Sequence, residues 1–301
     1  SLLQGYIFKI AGCKIPITDF KNNYSLTIRC NLLINNPDGF SIKTIGENIY
    51  IEGGNKKGCV YAVITLLEKY LGCNYYSSTF KIIPTTKNIV LPEIDLSDEP
   101  KIDCRIVNIS DQVDEEFIDW NRLNTIDEYF AKGYYVHTFN RLVPWQEFFK
   151  PHPEYFAFMN GKRIIDQLCL TNSDVLRLVI AKLEHDMKEQ RDKVYWSVSQ
   201  NDNFSYCQCD NCNEVIKEEK SPSGPVIRFV NAVAKHFPDK IISTLAYQFS
   251  RPAPAIAKPE DNVQIMLCTI ELNRRKSIEE EISSRSFVKD ITDWGKICKR
   301  I

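Results

Sequence analysis

The run VYWSVSQNDNFSYCQCDNCNEV, Val194 to Val215, gathers the densest set of chemically useful side chains in the sequence. An apolar, β-rich stretch stops at Asn201 and Asp202, and Cys207, Cys209 and Cys212 then follow as C-x-C-x-x-C. A carboxylate at the end of a buried strand can give or take a proton or orient a ligand, with the neighbouring amide assisting. The plainer role for an Asn-Asp pair is to turn the loop. Thiolates are soft ligands, and three at this spacing can surround one zinc, which takes four. Asp210, a distant cysteine or histidine, or water are all open as the fourth ligand. A disulfide between two of the three, or reduced thiols packing the loop, are the alternatives. Any zinc here is expected to be structural, stiffening the loop that begins at Asp202. No cofactor is required for catalysis.

A strand end of this kind needs a sheet beneath it. From Lys101 onward, CRIVNIS, YYVHTFN, QLCLTN, KVYWSVSQND, IISTLAYQ and VQIMLCTIEL are short strand candidates. Several are nearly continuous in apolar residues, as strands buried on both faces are. Helical spacing over 115–130, 173–188 and 226–237 separates most of them, and strands alternating with helices predict a parallel sheet. FAFMNGKRI is the exception, because Asn160-Gly161 signals a type I′ hairpin. Polar residues recur at the strand ends: Asn108, His137, Asn172, Asn201, Asp202, Tyr247, Gln248 and Glu271. In a (β/α)-barrel the catalytic groups gather on that rim. A doubly wound sheet also binds ligands at strand ends, but no Gly-rich phosphate loop follows any strand. The expected class is therefore α/β, with residues 101–301 forming a (β/α)8-type (TIM) barrel. Six strands by Glu271, followed by the helical SRSFVKDITDWGKICKR, leave too little chain for eight strands. The barrel is expected to be incomplete here, or the native chain to continue past Ile301.

Residues 1–98 read as a small mixed α/β domain. GYIFKI, YSLTIRCNLL and ENIYIEGG alternate as strands do. KKGCVYAVITLLEKYLGC places Val60, Val63, Ile64, Leu67 and Leu71 on one helical face, with Gly72 as C-cap. IIPTTKNIVLPEIDLSDEP, carrying Pro84, Pro92 and Pro100, suits an extended interdomain connection.

The totals exclude some classes. Lys and Arg number 38 against 39 Asp and Glu among 301 residues, which argues against a nucleic-acid partner. No apolar run approaches the roughly 20 residues of a membrane span; the longest, Val60 to Leu71, is interrupted by Glu68 and Lys69. A soluble, globular protein is expected, and its opening at Ser1 leaves room for a leader removed or never included. Of the eleven cysteines, Cys104, Cys169 and Cys268 sit in apolar runs and are expected to behave as small hydrophobes. A chain this long needs no disulfide scaffold to build its core.

GCVYAVITLLEKYLGCNYYS resembles the helix of the small α/β domain that precedes the barrel in family-20 and family-67 glycoside hydrolases. HPEYFAFMNGKR, QLCLTN, the VSQND-plus-CQCDNC block and PVIRFVNAVAKHFPDKIISTLAYQ are similar to an uncharacterised family, the domain of unknown function numbered 4838. The likeness runs from about Ile49 to Leu272. It implies an exported protein, periplasmic or at the cell surface, with a glycoside-hydrolase-associated amino domain and a barrel built for glycans.

Glycoside hydrolysis needs two carboxyl groups flanking the scissile bond. On this resemblance Asp202 is the candidate general acid or ligand-orienting carboxylate and Glu271 its partner, carried over by position in the barrel. Asn201 would hold a sugar hydroxyl. His137 precedes an aromatic loop with Trp145, Phe148 and Phe149 that could wall a sugar site, although bulky aromatics also build cores. Arg163 could fork onto a substrate carboxylate or form a salt bridge beside the hairpin. Trp196 and Tyr247 are sugar platforms or packing residues. His152 and Glu154 belong to a bent loop fixed by Pro151 and Pro153. A barrel lacking one carboxylate would still bind a glycan without cleaving it, and a scaffold module would show an exposed apolar patch instead of a cleft.

Overall fold

In the computed structural model, which describes residues 1–18, 24–107 and 114–301, the chain divides into two units, Ser1–Glu128 and Tyr129–Ile301. The division falls after Glu128, and Phe117 and Trp120 are buried in the core of the first unit.

The first unit opens with a helix where alternation predicts a strand. GYIFKI lies within α1 (Leu2–Ala11), because the Ser1 side chain accepts from the Gln4 amide and Gly12, left-handed at φ 70°, closes the last turn. These caps satisfy the ends, and Leu3, Tyr6 and Ile10 bury one stripe. There follow β1 (Leu26–Cys30), β2 (Phe40–Ile45), β3 (Asn48–Gly53), α2 (Lys56–Leu71), β4 (Asn74–Ser77), β5 (Phe80–Ile82), β6 (Asp95–Asp98), α3 (Glu115–Trp120) and α4 (Ile126–Tyr129). The main sheet runs β1-β3-β2-β6. β1 is parallel to β3, whereas β2 is antiparallel to both β3 and β6. The Pro-rich segment thus contributes a strand in place of a free connection. α2 begins on the Asn55 side chain and ends at Gly72, as its spacing predicts. The helix expected over 115–130 breaks in two: Arg122 is left-handed at φ 55°, and the Asn124 side chain accepts from the Arg105 amide at 3.0 Å.

In the second unit α5 (Phe139–Leu142) and α6 (Trp145–Phe148) lead to the hairpin β7 (Phe156–Met159) and β8 (Lys162–Leu168), then α7 (Ser173–Glu189) and β9 (Tyr195–Ser197). α8 (Asp210–Glu219), α9 (Ser223–His236), β10 (Ile241–Ala246), β11 (Val263–Leu267) and α10 (Arg285–Ile297) complete it. β9, β10 and β11 are neighbours in chain order and all parallel, and Phe130 adds a parallel bridge to Tyr195. Trp196, Val198, Val230, Val233, Ile242 and Ile265 fill the core around them. The hairpin turn follows its sequence signal, with both Asn160 and Gly161 at positive φ.

Three expected barrel strands are absent among the described residues. QLCLTN is no parallel strand: its first part ends β8, pairing antiparallel with Phe156. YYVHTFN is bent by Gly133 at φ 81° and His137 at φ 55°, although Ser197 N still donates to Tyr134 O (3.0 Å) and Thr138 N to Ser199 O (3.1 Å). CRIVNIS carries no regular element up to Val107, and Asn108 lies outside the described residues. β9, β10 and β11 form a three-stranded sheet, and no closed barrel is found among the described residues.

Asp186 on α7 fixes the bent segment that carries His137. It is 4% exposed, accepts from the Tyr134 hydroxyl at 2.6 Å and from Lys182 Nζ at 2.7 Å, and lies 3.6 Å from Arg141. Burial acts to raise its carboxyl pKa, but hydrogen bonds from Lys182, Tyr134 and His185 outweigh it and bring the value to about 2. The folded value lies below the unfolded one, so the stabilisation is fully present above about pH 4 and is lost as pH falls toward 2. Asp186→Asn should therefore lower stability at neutral pH by about 2 kcal/mol and flatten the acid limb between pH 4 and 2. Chemical denaturation across a pH series checks both.

Candidate functional site

The carboxyl ends of β9 and β10 bring several candidates together. The Tyr247 hydroxyl donates to Asp202 Oδ1 at 2.9 Å, and the His137 ring lies 5.9 Å from the Tyr247 ring. His137 Nδ1 is 2.8 Å from Gln200 O. Asn201 Oδ1 accepts from the Asn140 amide at 3.2 Å, and Asn140 Oδ1 accepts from the Trp145 amide at 3.3 Å. Burial first, and then the bond to Asp202, push the Tyr247 hydroxyl above its ordinary range, so at neutral pH it is a protonated donor. Asp202 is exposed and Trp145 half-exposed. His137 and Gln248, at φ 55° and 51°, are non-glycine residues in left-handed conformations. Such costly backbone concentrates at functional sites.

Beneath this rim the groups are buried and paired. Gln200, 1% exposed, donates to Tyr247 O at 3.0 Å and accepts from the Ser250 hydroxyl. Thr138 Oγ1 donates to Ser197 O at 2.9 Å and accepts from the Ser199 amide at 3.0 Å. A satisfied buried network of this kind holds a single geometry.

The loop after β9 is fixed from the side by β8. Gln167 and Asn201 exchange hydrogen bonds, Nε2 to Asn201 O (2.9 Å) and Asn201 N to Oε1 (3.0 Å), and Nε2 also reaches Asn203 Oδ1 (2.9 Å). Asp166 O accepts from the Asn201 and Asn203 side chains, and Asp166 Oδ2 accepts from the Ser205 hydroxyl at 2.9 Å. Neither Asp166 nor Gln167 stands out in the sequence, because β8 (KRIIDQL) also carries Lys162 and Arg163.

Other candidates lie elsewhere. Glu271 is held by Arg251 at 3.2 Å, and Arg251 Nε donates to Asp290 on α10 at 2.7 Å. Three residues before Glu271, Cys268 N donates to Ala246 O at 3.1 Å, and burial, then the charge of Glu271, push the Cys268 thiol up to about 11. Trp196 is no sugar platform: it is fully buried, 4.8 Å from the Tyr134 ring, with its indole N–H on Lys193 O. Arg163 serves the hairpin, donating to Phe156 O at 2.7 Å and lying over the Phe158 ring. Asn172 caps α7. His152 stacks on Tyr155 and reaches Glu154 at 3.1 Å.

The sulfurs assemble more fully than the C-x-C-x-x-C spacing indicates. Cys169, expected as a core hydrophobe, lies with Cys207, Cys209 and Cys212, and the four Sγ atoms are all within 4.8 Å of one another. Cys169 Sγ is 3.7 Å from Cys209 Sγ and 3.9 Å from Cys212 Sγ. Hydrogen bonds from Cys207 and Cys212 hold the Cys169 thiol well below its ordinary range, and the same contacts push Cys207 up to about 12 and Cys212 upward.

Parallel strands with polar groups on their carboxyl rim, preceded by a small mixed unit, place the chain in the α/β class. The chain belongs to the family described as Domain of unknown function (DUF4838), whose model matches residues 75–301. No curated protein matches it. Among solved structures, the Flavobacterium johnsoniae chitobiase is similar at TM-score 0.50 and 12% identity, over 97% of this chain and 52% of that one. The beta-N-acetylhexosaminidase from Bacteroides fragilis gives 0.47 and 11%, over 87% and 62%. CpGH89 from Clostridium perfringens, in complex with its substrate GlcNAc-alpha-1,4-galactose, gives 0.49 and 11%, over 90% and 39%. The chain thus spans less than two thirds of each of these proteins, and at such identities the likeness is one of fold. No helix among the described residues is long and apolar enough to cross a membrane.

Gln167→Leu keeps the volume but removes both bonds to the Asn201 backbone. Hydrogen exchange of peptides covering 200–206 should accelerate about thirtyfold, given about 1 kcal/mol for each of the two bonds lost, while β10 peptides stay unchanged.

Proposed function

We propose that the chain acts on a glycan at the rim formed by His137, Asn201, Asp202 and Tyr247, as a glycoside hydrolase using carboxylate acid/base catalysis. The observation that carries this reading is the Tyr247–Asp202 hydrogen bond at the carboxyl end of a parallel sheet with a chitobiase-like fold. Asp202 is the general acid or the carboxylate that orients the ligand. Its Oδ1 is held by Tyr247, which leaves Oδ2 for the sugar. Asn201 and His137 lie beside it as polar contacts, and Trp145 supplies an aromatic face on which the apolar side of a sugar can lie. Glu271 is the partner carboxylate, and the two hydrolytic mechanisms require the pair about 5–10 Å apart across the scissile bond. An exported location, periplasmic or at the cell surface, belongs to the same proposal, because polymeric glycans are met there.

A specific observation favours a second reading, glycan binding without cleavage. Glu271 is committed to Arg251, which Asp290 and the Ser286 hydroxyl also hold. A carboxylate locked into such a pair is a poor base unless ligand binding releases it.

Purified chain assayed on a panel of aryl glycosides and polysaccharides separates the readings. The enzyme reading expects turnover that Asp202→Asn and Glu271→Gln each reduce by about a thousandfold, the scale of lost acid/base catalysis. Tyr247→Phe should cost about tenfold, the loss of one charged-group hydrogen bond. Calorimetric binding of glycans without turnover, abolished by Asp202→Ala, would establish the binding reading. Neither turnover nor binding across the panel would overturn both.

A further inference from the structure

We propose that Cys169, Cys207, Cys209 and Cys212 bind one zinc ion as a closed four-thiolate site that pins the Asp202 loop to the end of β8. Two separate stretches of chain supply the ligands, Cys169 lying 40 residues before Cys209. Zinc–sulfur arms of about 2.3 Å set tetrahedrally place the sulfurs about 3.8 Å apart. The separations of 3.7 and 3.9 Å from Cys169 match that edge. A disulfide needs about 2.05 Å between sulfurs, and joining any two of these would pull the four-sulfur arrangement apart.

The surroundings suit thiolates. Cys169, Cys207 and Cys212 are buried. The Phe158 amide donates to Cys207 Sγ at 3.3 Å, and Thr171 Oγ1 lies 3.2 Å from Cys212 Sγ. Cys209 stands at the amino end of α8, where the backbone N–H groups favour negative charge. Such outer contacts orient and stabilise metal-bound sulfur. A site of four soft thiolates rejects magnesium and calcium, and with no open position it braces the fold instead of doing chemistry.

The brace has a defined target. Asp166 and Gln167 hold residues 201–205, and two residues further along the same strand end Cys169 holds 207–212 through the metal. The loop carrying Asp202 is thereby fixed at both of its ends to one hairpin.

The full chain, purified without chelator, should carry one zinc per chain by elemental analysis. X-ray absorption should give four sulfurs at about 2.3 Å. Cys169→Ser should lower zinc content at least tenfold, while Cys104→Ser, outside the cluster, keeps it. If Cys169→Ser does not fold, cobalt exchanged into the unaltered chain should show the strong visible bands of tetrahedral thiolate coordination. Any of four results would overturn the proposal: less than roughly a tenth of an equivalent of zinc, iron in its place, fewer than four sulfur ligands, or a disulfide among the four by peptide mapping. None of these readouts depends on glycan activity, so the site and the proposed function stand or fall separately.

Discussion

The rim depends on where the chain turns after β9, and that turn is set by the exchange of hydrogen bonds between Gln167 and the Asn201 backbone. A buried amide that both donates to and accepts from one residue fixes position and orientation together, and leaving either half unmet would cost more than the bond contributes. Asn201 passes that placement on to Asn140 and so to the aromatic turn beginning at Trp145. One residue later Asp202 meets Tyr247, whose backbone is held from below by Gln200. The polar groups of the rim are thus tied to the β7–β8 hairpin as firmly as to the parallel strands that carry them.

Two further devices hold other stretches of the second unit. Asp186 draws Tyr134 and Arg141 onto α7, which fixes both flanks of the left-handed His137. Arg251 joins Glu271 to α10 through Asp290 and Ser286, and the Trp294 indole donates to the Arg251 carbonyl at 2.8 Å. The first device orders the rim. On the proposed function, the second sets how freely Glu271 can reach a ligand.

Much of the fold was legible because its determinants are local. Asn160-Gly161 specified its hairpin, and α2, α7 and α9 followed apolar spacing with caps at Asn55, Gly72 and Asn172. Where local and tertiary demands conflicted, the sequence misled. GYIFKI alternates like a strand, yet Ser1 and Gly12 cap it as a helix. YYVHTFN is apolar enough for a barrel strand, yet Gly133 and His137 bend it. The candidate site was legible in part: strand-end polarity pointed to His137, Asn201, Asp202 and Tyr247, which the fold brings together. It missed Asp166, Gln167 and Asp186, whose roles rest on partners that are distant in the sequence. Cys169 escaped for the same reason, since an apolar neighbourhood makes a cysteine look like core packing until the fold brings three others beside it.

On the proposed function a glycan lies against Asp202 with Glu271 as the second carboxylate, and a crystal structure with bound glycan would test this directly. A sugar oxygen should then lie within hydrogen-bond reach of Asp202 Oδ2, with the two carboxyl groups about 5–10 Å apart across the ligand. A glycan bound away from the ends of β9 and β10, or one at Asp202 with Glu271 still locked to Arg251 beyond that range, would contradict it.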